Sequence, residues 1–147
     1  MTDFRNSPLW LKAMELAVEV DRVTKILAKA DGTPARATAQ HVYNLDAEKI
    51  VLDIATAEGR SAIPNENLRF LSSAQGATFR LESRLLLDVK RDNVAQADVE
   101  KALKLCTELA ALLNSKIEEL SAERERRFER RLNDQILLRN FRADNEE

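Results

Sequence analysis

The last helix of this chain carries an apolar seam that turns into an arginine seam without changing phase. At about 100° per residue, Leu109, Leu113, Ile117 and Leu120 lie along one stripe of a helix. The same stripe runs on to Arg124, Arg127 and Arg131. Guanidinium groups cannot continue an apolar interior without partners. The helix is therefore expected to leave its bundle near Ala122. That divides the chain into a four-helix body, residues 1–121, and a charged helical C-terminal arm, residues 122–147.

Everything before the arm reads as helix. Only three glycines and three prolines interrupt 147 residues that are 44% apolar and 33% charged, a mix that belongs to all-α proteins. Ser7-Pro8 reads as an N-cap followed by proline at the first helical position. Trp10, Ala13, Met14, Ala17, Val20, Thr24 and Leu27 then recur at helical spacing. Asp31-Gly32 closes this helix and Thr33-Pro34 opens the next. The second helix, Pro34 to Glu58, carries Thr38, Val42, Leu45, Leu52 and Ile54-Ala55, and the run Ile50-Val51-Leu52 suggests burial on more than one side. Gly59 breaks it, and a loop from Arg60 to Pro64 leads to a third helix capped by Asn65 or Asn67. There Leu71, Ala74, Thr78, Leu81, Leu85 and Val89 fall in a narrow arc. After a turn at Asp92-Asn93, the fourth helix presents Val99, Ala102, Leu103, Cys106, Leu109, Ala110, Leu113, Ile117 and Leu120. Four amphipathic helices with short connections give an antiparallel up-down-up-down bundle with a long extension of the last helix.

The composition also narrows the function. A lone histidine, His41, removes any site that needs two imidazoles, and the residue three before it is Thr38 rather than the glutamate of a di-iron bundle. One cysteine and one histidine make no zinc site. No glycine-rich loop offers a phosphate cradle. The protein is therefore expected to be non-enzymatic, without metal or cofactor. No uncharged run approaches the ~18 residues of a membrane span. The start Met1-Thr-Asp-Phe-Arg lacks the apolar stretch of a signal peptide. Cys106 is in phase with Leu109 and Leu113, which predicts a buried thiol and a reducing, cytoplasmic setting.

Two basic features stand out against a net charge of −2. On the third helix Arg69, Arg80, Arg84 and Arg91 fall within about 60° of one another, on a face turned away from the core. A stripe of this kind can be an ordinary solvated face, or it can track phosphates with bidentate contacts. Glu82 lies near the apolar arc, which suggests a buried or subunit-crossing pair with an arginine. In the arm, seven arginines between Ala122 and Arg142 face four acids, a local net charge of +3. Glu123 and Arg127 are spaced for a pair. Phe128, Ile136, Leu137, Leu138 and Phe141 form a second apolar cluster, and such a cluster needs a surface to cover it. That surface can be the body or a neighbouring subunit, a nucleic acid or reverse transcriptase, or a membrane face, and the interleaved glutamates weigh against the last two. No membrane partner is expected.

The segments Phe4-Arg-x-x-x-Leu9-Trp-x-Lys12-Ala-Met-Glu-Leu, Ile54-Ala…Glu58-Gly-Arg60, Leu68-Arg-Phe-Leu71 and Ala74-x-Gly76-x-x-x-x-Leu81-Glu82 resemble a small bacterial four-helix-bundle family. It includes proteins encoded in intervening sequences of 23S ribosomal RNA genes, and it is related to the accessory variability determinant of diversity-generating retroelements. The resemblance covers about Phe4 to Leu120. It implies a protomer that assembles into a homo-oligomeric ring, often a pentamer. For the retroelement branch it implies a basic surface that engages RNA or DNA and a reverse transcriptase. Two features depart from the family pattern. Asp53-Ile54-Ala55-Thr56-Ala57-Glu58-Gly59 replaces the usual Asn-Ile-Ala-Glu-Gly, and the chain is slightly acidic where the accessory proteins are strongly basic.

The expectation is thus an oligomeric accessory or adaptor protein. It would bind nucleic acid or a nucleic-acid enzyme through Arg69, Arg80, Arg84, Arg91, Arg124, Arg127 and Arg131. The alternative is a self-assembling module with no nucleic-acid role, whose arm packs between subunits through its apolar cluster.

Overall fold

The computed structural model describes residues 3–29, 34–60 and 64–145. Four helices follow a single 3-10 turn at Phe4–Asn6: α1, Pro8–Lys29; α2, Pro34–Gly59; α3, Pro64–Lys90; and α4, Gln96–Asn145. Each of the three prolines is the first residue of a helix, where its missing N–H is not needed and its fixed φ is already helical. Ser7 caps α1 by accepting from the Trp10 backbone N–H at 3.5 Å. The Phe4 ring meets the Trp10 ring edge-to-face at 5.4 Å and pins the entering chain to the first helix.

α3 ends in a Schellman motif. Asp92 takes φ 56°, the Asn93 N–H donates to the Asp88 carbonyl at 2.9 Å, and the Asp92 N–H donates to the Val89 carbonyl at 3.1 Å. Aspartate replaces the usual glycine there. The turns expected at Asp31-Gly32 and Thr33, residues 61–63 of the loop and the final two glutamates lie outside the described residues, as does the Thr38 side chain.

Each helix packs on its sequence neighbours and α1 closes on α4, whereas among the described residues no Cα atoms of the α1–α3 or α2–α4 diagonals approach within 8 Å. Side-chain contacts give the directions. Moving along α1 from Lys12 to Arg22, the partners on α4 move back from Glu108 to Asp98. Moving along α2 from Tyr43 to Asp46, the partners on α3 move back from Asp88 to Arg84. The fold is an antiparallel four-helix bundle.

Its interior is aliphatic. Leu16, Val20, Val23, Ile50, Ile54, Leu71, Leu81, Leu85, Val99, Leu109 and Leu113 are fully enclosed, and truncating such a leucine costs about 2–5 kcal/mol. The α3 arc is buried as its periodicity predicts, with Val89 packed against its edge.

Three helices differ in detail from the sequence reading. On α1 the buried line runs through Leu9, Leu16 and Val23, and Met14 is exposed, because the apolar stripe is wide and its centre lies toward Leu16. On α4 Leu105 joins the core beside Cys106. The largest correction is on α2. Leu45 and Leu52 face outward, while Tyr43, Ala47, Ile50, Ile54 and Ala57 face inward together with Asp46 and Asp53. Two buried aspartates in phase with the core hide the true face from a hydropathy count. The run Ile50-Val51-Leu52 passes from buried to exposed and is not enclosed on several sides. Neither Asn65 nor Asn67 is a cap: both lie inside α3, which begins at Pro64, and Asn67 is buried.

Candidate functional site

Arg80 and Arg84 project from α3 at one-turn spacing and converge on one carboxylate of α2. The Arg84 Nε donates to Asp46 Oδ2 at 3.2 Å, and the Arg80 Nε lies 3.5 Å from Asp46 Oδ1. Asp46 is nearly enclosed, whereas both guanidinium groups are about half exposed. One turn further along the same seam, the Tyr43 hydroxyl donates to Asp88 Oδ2 at 2.5 Å, and the Asn93 amide donates to Asp88 Oδ1 at 2.9 Å. Burial pushes the Tyr43 hydroxyl well above its ordinary pKa, and the Asp88 carboxylate adds to the rise. Arg84 opposes it weakly.

The α3 arginines are exposed and turned away from the core, as their phase predicts, yet two of them are tied to α2. Asp46 belongs to another helix and is invisible to a search along α3. Arg91 lies one residue past α3, in the turn. Arg69 stands apart, its guanidinium 5.6 Å from the centre of the Phe70 ring. The four arginines therefore do not form one uniform track. Glu82 is half buried and makes no ion pair among the described residues; its field adds to the shift of Cys106 on α4. Burial is the larger cause, and the thiol is pushed up to about 12, which makes it inert as a nucleophile.

The arm is continuous with α4, which runs unbroken to Asn145. Ile117 and Leu120 still touch the core, and from Arg124 to Asn145 every residue is exposed. Arg127 donates to Glu123 Oε1 at 2.6 Å, one turn back. Arg124, Arg131 and the other four arginines of the arm make no ion pair among the described residues. Phe128, Ile136, Leu137, Leu138 and Phe141 are all largely solvated. Leu132, which the sequence reading passed over, is exposed with them. Its signal was available: it stands four residues from both Phe128 and Ile136.

An open cleft of about 490 Å³ lies where the first turn of the chain meets α4, bordered by Asp3, Ser7, Glu58, Leu112, Lys116 and Glu119. Lys116 there lies 3.8 Å from Glu119 Oε1. Among the described residues no three His, Cys, Asp or Glu side chains are grouped to hold a metal ion, and His41 is exposed on α2. No described helix is long and apolar enough to cross a membrane. No family model, curated protein or solved structure matches the chain.

Proposed function

We propose that this protein is a non-enzymatic, oligomeric interaction module whose arm packs against another subunit. The observation that carries the reading is the arm itself: six large apolar side chains stand in solvent on a helix segment that nothing covers among the described residues. A helix so exposed is marginal in water, and its apolar groups gain only by being covered. The body adds a second uncovered stripe, Leu11, Met14 and Val18 on α1, at the spacing of one helix face. A homo-oligomer would cover both. The internal pairing of Arg80 and Arg84 with Asp46 weighs against a phosphate track on α3.

The test is the assembly mass by light scattering, for the full chain and for a chain ending at Leu120, which keeps every buried core residue. The expected result is a smaller assembly for the shortened chain, persisting from low to high salt. An unchanged mass would end the reading. A second reading is favoured by one observation, the six arm arginines without internal partners: an accessory protein whose arm engages RNA, DNA or a reverse transcriptase. Retention of RNA in a gel shift at low salt, lost steeply as salt rises and abolished by Arg124→Glu with Arg131→Glu, would support it.

A further inference from the structure

We infer that one face of the arm is a self-complementary docking surface for the arm of a second copy of this chain, laid antiparallel with Leu132 on the two-fold axis. This rests on the reading that the arm contacts another subunit, and it names the partner and the geometry.

Glu125, Phe128, Leu132, Ile136 and Arg139 form one stripe, all within about 40° of the Leu132 direction at 100° per residue. The three apolar members are 67%, 46% and 48% exposed. Glu125 and Arg139 are exposed and make no ion pair among the described residues. The spacing reads the same from either end: apolar residues stand four positions from Leu132 on both sides, and charged residues seven. The end charges are opposite in sign.

Turn a second arm end for end and each feature finds its complement. Leu132 meets the partner's Leu132, Phe128 meets the partner's Ile136, and Glu125 meets the partner's Arg139. The two-fold axis makes every off-axis contact twice. A parallel, in-register pair would instead set Glu125 against the partner's Glu125 and Arg139 against the partner's Arg139. The like charges select the antiparallel arrangement. They also disfavour a polyanion on this face, because Glu125 would meet phosphate. Arg124, Arg127 and Arg131 point about 80–140° away and stay in water. The stripe spans about 21 Å of helix, less than a standard stable interface needs. The contact is therefore a weak clasp, which gains from any other contact that already holds the subunits together.

The test uses cysteine variants of the full chain, in which the native Cys106 is buried. Under mild oxidation Leu132→Cys is expected to cross-link into a dimer at least tenfold faster than Leu137→Cys, which faces the opposite side of the helix. A mixture of Phe128→Cys and Ile136→Cys chains is expected to yield the mixed dimer, with little product from Phe128→Cys alone. Glu125→Arg and Arg139→Glu should each weaken association by about tenfold, since each acts at two places, and the double variant should restore it to within about twofold. Rapid cross-linking of Phe128→Cys to itself would overturn the antiparallel geometry. Equal rates for Leu132→Cys and Leu137→Cys would overturn the proposal. If that equality came with a mass that still falls on removal of the arm, the arm docks elsewhere on a subunit and only the geometry fails. If the mass also stays constant, both readings fail.

Discussion

Replacing Asp46 with alanine isolates the polar seam between α2 and α3. Asp46 is 12% exposed at its side chain, and its partners Arg80 and Arg84 are 51% and 45% exposed. Unit charges at such separations attract by about 4 kcal/mol at an effective dielectric constant of 20. Half-exposed guanidinium groups are strongly screened, however, and exposed pairs contribute about 0.2–1 kcal/mol. The Arg84 contact, a charged hydrogen bond at 3.2 Å, belongs near the top of that range. The 3.5 Å Arg80 contact belongs lower. Asp46→Ala should therefore destabilise the bundle by about 1.5 kcal/mol, measured as a shift in urea midpoint at unchanged slope. A double-mutant cycle with Arg84→Ala should give a coupling of about 1 kcal/mol, reduced by 0.5 M salt. A coupling below about 0.3 kcal/mol would refute the assignment of Asp46 as the anchor of the α3 arginines. A gain in stability would mean that enclosing the carboxylate costs more than its two pairs return.

Two further outcomes follow from the interior of the bundle. Cys106 has its thiol raised from 9.0 to about 12, and Tyr43 is raised above its ordinary value of 10.0. For both groups the folded state holds the proton longer than the unfolded chain does, so their contribution is complete below about pH 9 and lost as pH rises. The stability advantage of the parent over Cys106→Ala should shrink by about 1.4 kcal/mol per pH unit between pH 9 and 12, and Tyr43→Phe should remove a similar loss that begins near pH 10. A parent–variant difference that is flat from pH 8 to 11 in urea unfolding would contradict this. Gly76 lies inside α3 with ordinary helical geometry, and an added Cβ would meet nothing closer than the Arg80 guanidinium at 3.7 Å. Gly76→Ala should stabilise a dilute single chain by about 0.5–1 kcal/mol, read from its urea midpoint, and a loss would show that another surface approaches α3 there.

The helical class, the number of helices and the α3 and α4 core lines were legible because their apolar residues recur with little interruption. α2 was not, since Asp46 and Asp53 occupy core-phase positions while Leu45 and Leu52 take solvent positions. Hydropathy alone assigns those four residues the wrong way round. The pairing of Arg80 and Arg84 is equally hidden: their acid lies 34 and 38 positions away, on a helix whose core phase hydropathy conceals. A carboxylate in phase with Tyr43, Ala47 and Ile50 was the available clue. The exposure of the residues from Arg124 onward was readable because charge replaced hydrocarbon on a single stripe. Leu132 is singled out by its spacing, four residues from Phe128 and from Ile136.

Every glycine and proline of the chain precedes position 77, so α4 runs its full 50 residues without a flexible joint. At 1.5 Å per residue that is a rod of about 75 Å. Leu132 sits about 18 Å beyond Leu120, the last side chain anchored in the bundle. Whatever grips the rod there is held at a set distance and a set azimuth, and a push on its tip is delivered as torque to the four helices at its root.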